Sequence, residues 1–110
     1  MDPKVIEMTA EALKALGHPL RLKIVKFLQG GQRCVCEIIP AVEAEQSMVS
    51  KHLSILRQAG IVTCRKEGLR VIYWVRDPAV FMLCNLAQEL VSRRLAEFSA
   101  IAADLQAILS

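Results

Sequence analysis

The stretch Gln46-Ser47-Met48-Val49-Ser50-Lys51-His52-Leu53-Ser54-Ile55-Leu56-Arg57-Gln58-Ala59-Gly60 decides the reading of this chain. Val49, Leu53 and Leu56 recur at steps of four and three, which is one apolar stripe of a helix. Ser47, Ser50, Lys51, Ser54 and Arg57 fall on the other side, with no acidic residue among them. Ser47 is placed to serve as N-cap, and Gly60 follows shortly after the expected end at Gln58. An outer face made only of short hydrogen-bonding side chains and cations suits a surface that meets phosphates and base edges.

Moving toward the N-terminus, the polar run Glu43 to Gln46 makes a turn, and before it a short third helix is expected from Arg33 to Val42, carrying Cys34 and Cys36. Gly30-Gly31 closes a second helix opened by Pro19, whose Leu20, Ile24, Phe27 and Leu28 lie at i, i+4, i+7 and i+8. Asp2-Pro3 opens the first helix, with Val5, Thr9, Ala12, Leu13 and Leu16 on one face and Gly17 as its stop. His18, just before a helix-starting proline, reads as a capping or packing residue rather than a ligand.

On the C-terminal side, Ile61–Lys66 and Arg70–Arg76 are rich in β-branched and aromatic residues and flank Glu67-Gly68-Leu69, a hairpin with basic strands. Alternation sends Tyr73 and Trp74 to opposite faces, so only one meets the core. Asp77-Pro78 repeats the helix-start signal, and no Gly or Pro follows. Val91, Leu95, Phe98, Ala102, Leu105 and Leu109 then recur at the spacing of a helix–helix seam. A continuous helix from Pro78 would be about 50 Å long, too long to pack wholly on so small a core. The fold expected is mainly α with a small β-hairpin, ordered α-α-α-α-β-β-α(α), the last segment being one helix or two.

Helix, tight turn, helix and basic hairpin is a DNA-reading layout in which the second helix of the pair enters the major groove by its N-terminal end. Gln46, Ser47, Ser50 and Lys51 occupy that end, with Ser54 and Arg57 further along. Arg65, Lys66 and Arg70 on the hairpin would add contacts to phosphates. His52 would either touch a phosphate or fill the contact between helices. The 110 residues, 54% of them apolar, supply one core, and the net charge of +3 gathers on the segments just named. No window resembles a membrane span, and the first residues lack an export signal, so a cytoplasmic protein is expected.

The segment Gln46–Leu53, continuing through Leu56-Arg57-Gln58-Ala59-Gly60-Ile61-Val62, resembles the signature of the ArsR/SmtB metalloregulators. Gly17-His18-Pro19-Leu20-Arg21-Leu22 and Cys34-Val35-Cys36-Glu37-Ile38 fit the same family. The resemblance implies a winged helix-turn-helix repressor over residues 1–110, with 33–58 as helix-turn-helix and 61–76 as wing. It implies a homodimer through 1–16 and 78–110 that binds double-stranded operator DNA of palindromic form when free of ligand, with no cofactor needed for binding.

The Cys34-x-Cys36 pair resembles the thiolate site of arsenic, antimony, cadmium and lead sensors, and soft thiolates suit trivalent arsenic or antimony as inducer. On an ideal helix residues i and i+2 diverge, so one ion holding both sulfurs is expected to deform the start of the third helix and so disturb the next one. The family's further Cys three residues after the pair is Ile39 here, leaving Cys64 or Cys84 as internal third ligand, or an outside thiol. The zinc site on the last helix needs a His that this chain lacks from Pro78 onward. Cys84 also reads as a small buried hydrophobe. A rival in the same fold is a redox or persulfide sensor in which Cys84 links to Cys34 or Cys36; a cadmium or lead sensor is another, and an interaction module without DNA a third. The chain carries no phosphate loop, nucleophile motif or Cys-x-x-Cys, so no enzyme is expected.

Overall fold

A computed structural model describes all of residues 1–110. Helix α1 (Pro3–Leu16) opens as its sequence directs, the Asp2 carboxylate accepting the Lys4 N–H at 2.8 Å and Pro3 standing where no donor is needed. Helix α2 (Pro19–Leu28) is capped by His18, whose Nδ1 accepts the Leu20 N–H at 3.1 Å. The third helix starts later than Arg33. Arg33–Cys34 form a short strand, β1, and α3 covers Val35–Val42, because Cys34 is extended (φ −67°, ψ 146°) and serves as the N-cap.

Helix α4 (Gln46–Gln58) begins after Glu45, whose side chain makes no capping bond, so Ser47 lies inside the first turn instead of capping it. The α3–α4 turn is made by Glu43 in the left-handed region (φ 54°, ψ 45°). Strands β2 (Val62–Glu67) and β3 (Arg70–Val75) pair from Val62↔Val75 to Glu67↔Arg70, around a two-residue turn whose Gly68 has φ +61°. Strand β1 pairs with the free side of β3, giving a three-stranded antiparallel sheet in the order β1-β3-β2. The hairpin expected from sequence is thus two-thirds of the sheet. Helix α5 (Ala79–Leu109) is one continuous helix, begun by the Asp77 carboxylate accepting the Ala79 N–H at 2.9 Å.

The core lies where α2, α3 and α4 meet. Ile24, Val25 and Leu28 meet Ile38 and Val42 from α3 and Val49, Leu53 and Leu56 from α4, with Ile61 and Val62 closing the sheet side. Leu20 and Phe27 from the predicted α2 stripe are half-buried against this cluster. Helix α1 adds only Ala15 and Leu16, with Ala12 partly covered; Val5 and Leu13, expected on the same inward face, are exposed. Helix α5 adds Val80 and then leaves the core, so its seam residues stand in solvent. The radius of gyration is 18.1 Å, against about 13 Å for a compact chain of this length, because α5 projects.

Candidate nucleic-acid interface and thiol site

Val49, Leu53 and Leu56 are at most 1% exposed and fix α4 against α2 and α3. With that stripe turned inward, the opposite face is set: Gln46, Ser47, Ser50, Lys51, Ser54 and Arg57 are all exposed. His52 is the exception. It is buried, its ring centroid 4.4 Å from that of His18 and its Nδ1 3.0 Å from Arg21 Nη1. His52 therefore leaves the set of DNA-facing residues; it sits at i+3 from Val49 and i−4 from Leu56, which places it on the apolar stripe. Burial first, then repulsion from His18, Arg21 and Lys51, holds its pKa below the usual histidine range.

On the wing, Arg65, Lys66 and Arg70 are exposed. Arg65 lies 5.3 Å over the Trp74 ring and pairs with Glu67 at 2.6 Å, so it is held along the hairpin. Arg70 reaches back to Glu37 on α3 at 3.5 Å. Exposed pairs of this kind are worth at most about 1 kcal/mol, so they orient these cations more than they neutralise them. Tyr73 packs on the core side, as alternation requires of one ring of the pair.

Cys34 and Cys36 meet at the start of α3, where the structure joins their sulfurs as a disulfide. Cys34 is buried and Cys36 exposed. The Cys34 Sγ accepts the Cys36 N–H at 3.0 Å, while the Cys34 N–H donates to Glu37 Oε1 at 3.1 Å, a capping box built on a cysteine sulfur. This corrects the expected placement of Cys34 within the helix: it precedes α3, and its extended backbone lets the two sulfurs meet. A groove of about 520 Å³ runs past the pair between α3, α4 and the wing, and Cys34, Cys36, Gln46, Ser50, Arg70 and Tyr73 are among its walls.

Neither expected third sulfur reaches this place. Cys64 pairs with Tyr73, while Cys34 pairs with Ile72 one position along, so the two thiols belong to opposite faces of the sheet. Cys84 stands on α5 in an apolar pocket with Leu16, Leu22, Leu83 and Ala87, where burial pushes its thiol pKa up. No three His, Cys, Asp or Glu side chains gather anywhere in a metal-holding group. Sequence reasoning missed Glu37, which joins the thiol cap to the wing; its place at N3 after a cap was the available signal. Arg21 was missed as well, and nothing in its local pattern marks it. No helix is long and apolar enough to cross a membrane.

The profile described as "Bacterial regulatory protein, arsR family" matches residues 18–63. An uncharacterized HTH-type transcriptional regulator of Methanocaldococcus jannaschii is 45% identical over 85 residues, 76% of this chain and 96% of that one. The HTH-type transcriptional repressor SmtB of Mycobacterium tuberculosis is 40% identical over 74 residues, 67% of this chain and 55% of that protein. The solution structure of a homodimeric winged helix-turn-helix DNA-binding domain from Mycobacterium bovis superposes with a TM-score of 0.76 at 30% identity, covering 86% of this chain and 87% of that one. With its exposed reading helix, its wing and these relatives, the chain belongs to the arsR family of winged-helix transcriptional repressors, which are DNA-binding proteins and not enzymes.

Proposed function

We propose that the chain works in the cytoplasm as a homodimer that holds a palindromic operator and releases it when arsenite or antimonite takes the sulfurs of Cys34 and Cys36. The observation that carries the reading is that the two sulfurs share one groove with Gln46 and Ser50, residues on the reading end of α4. Gln46, Ser47, Ser50, Lys51, Ser54 and Arg57 contact the duplex in this reading, with Arg65, Lys66 and Arg70 on phosphates from the wing. A cellular thiol such as glutathione first reduces the joined pair, two molecules of it becoming a disulfide, and arsenous acid then condenses with the two freed thiols, forming two As–S bonds and losing two hydroxyls as water. The third position then keeps a hydroxyl or takes an outside thiol, since Cys64 and Cys84 lie elsewhere.

Release follows from the cap. An arsenic atom that ties Cys34, the N-cap, to Cys36 in the first turn restrains that cap in a new geometry, and the same capping box holds Glu37, the partner of Arg70 on the wing. One event thereby reaches the start of α3, the reading helix across the groove and the wing.

The joined sulfurs favour one second reading, in which an oxidant such as hydrogen peroxide is the signal. Two thiols then lose two protons and two electrons to form the Cys34–Cys36 disulfide. Cys84 has no part in it, contrary to the pairing expected from sequence, since it stands between α2 and α5.

The test is fluorescence anisotropy of an operator complex in excess reductant, titrated with arsenite, antimonite, cadmium, lead and zinc. Release by arsenite or antimonite, lost in Cys34→Ser with DNA affinity kept, is the expected result. Release by cadmium or lead alone transfers the site to those ions, and release by peroxide without metal selects the disulfide reading.

A further inference from the structure

Arg21 touches three elements at once. Its guanidinium donates to the Ala15 and Lys14 carbonyls, two of the orphan acceptors at the end of α1, and its Nη1 lies 3.0 Å from Nδ1 of His52 in the middle of α4. His18 stacks on His52 from the α1–α2 junction, with its own Nδ1 occupied by the Leu20 N–H. Arginine can only donate, so the His52 Nδ1 must accept and the ring proton resides on Nε2. The groups facing His52 are His18 and Arg21, with Lys51 beside it on α4. None of the four ion pairs in the chain brings a carboxylate to this cluster.

We propose that Arg21 and His52 are positioning residues for operator binding: they bolt the reading helix to the end of α1 through a bond that exists only while His52 is neutral. A proton on Nδ1 removes the acceptor and sets a second cation against Arg21 in a buried place with no counter-ion. The bolt then opens, and α4 is no longer fixed at its middle turn. Because the charged ring is disfavoured in the folded chain, the unfolded chain binds more protons just below about pH 6.5, and stability falls as pH drops through that range. Acid therefore loosens the reading helix independently of the thiols.

The experiment is anisotropy of the full chain with the tightest duplex recovered from a random library, at constant ionic strength, from about pH 8 to about pH 5.5. Affinity is expected to fall on the order of tenfold toward acid, against the direction in which added positive charge acts on phosphate binding. His52→Gln, whose side-chain carbonyl can accept from Arg21 without titrating, keeps the affinity at high pH within about threefold and flattens the profile. His52→Leu, equally buried but without an acceptor, binds more weakly than the wild type at high pH and loses the dependence on pH. Nitrogen-15 spectra of the wild-type histidine rings need no variant and are expected to find the Nε2–H tautomer at His52. A wild-type profile that is flat or rises toward acid, a His52→Gln profile as steep as the wild type, or an Nδ1–H tautomer each overturns the proposal.

Discussion

Between Pro19 and Val75 the chain closes on itself, whereas α1 and α5 do not. In the closed part, apolar side chains spaced for a helix face are almost all covered by their own chain: Ile24, Ile38, Val49 and Leu56 are wholly buried. In α5 the same spacing leaves Val91, Leu95, Phe98, Leu105 and Leu109 more than half exposed. The residue types and periodicities are alike, and only the geometry differs. A helix-face pattern records that something covers the face, and it does not say whether the cover is the same chain or another copy. The superposing domain from Mycobacterium bovis is a homodimer, and the homodimer proposed above would supply a second copy as the cover.

The largest effect expected from this contrast is in the closed part. Leu53→Ala removes a side chain 1% exposed at the junction of α2, α3 and α4, and should cost about 2–5 kcal/mol in a urea melt at any protein concentration. Phe98→Ala, on α5, should instead leave a dilute sample's melt nearly unchanged and weaken self-association by about tenfold or more in sedimentation equilibrium, the scale of burying one large apolar side chain. If Phe98→Ala lowered the melt without moving the association constant, the contrast between closed and open regions would fail.

Two smaller effects sharpen it. The double variant Lys51→Ala, Arg57→Ala alters only the exposed face of α4 and should lower the salt slope of operator binding by about 0.9 for each phosphate that is no longer neutralised, with the melt unchanged. Cys84→Ser sits at the boundary between the regions, half-buried against α2. It should shift stability by about 1 kcal/mol or less and leave ligand-induced release as it was. Since burial raises the Cys84 thiol, its alkylation by iodoacetamide should stay slow at neutral pH and quicken only in alkali.

How much of the molecule is legible in the sequence depends on whether the signal is local. Asp2-Pro3, His18-Pro19 and Asp77-Pro78 mark helix starts by their own chemistry, and each helix starts there. Gly68 marks the wing turn for the same reason. Strand β1 escapes because two residues carry no alternation to read, and its existence depends on β3, almost forty positions away. Cys34 reads as helical because a thiol is a poor N-cap by composition, although Glu37 three residues later completes the box. His52 reads two ways, as a phosphate contact by its polarity and as a filler between helices by its place on the stripe, and the local pattern does not choose. Its partners, Arg21 and His18, lie more than thirty residues earlier, so its burial is a tertiary fact. The site is legible as a set of exposed cations and a pair of thiols, and the groove that joins them is not.

The turn at Glu43 has a practical consequence. A non-glycine residue held in the left-handed region gives up about 1 kcal/mol or more that Asn or Gly would not, and this one sits between α3, which the cysteine pair opens, and α4, the helix proposed to read DNA. Glu43 is exposed, outside every contact assigned above. A single exchange to Asn at this position should therefore raise heat tolerance while leaving both recognition surfaces as they are, which makes the turn a sensible first edit for anyone building a durable field sensor from this chain.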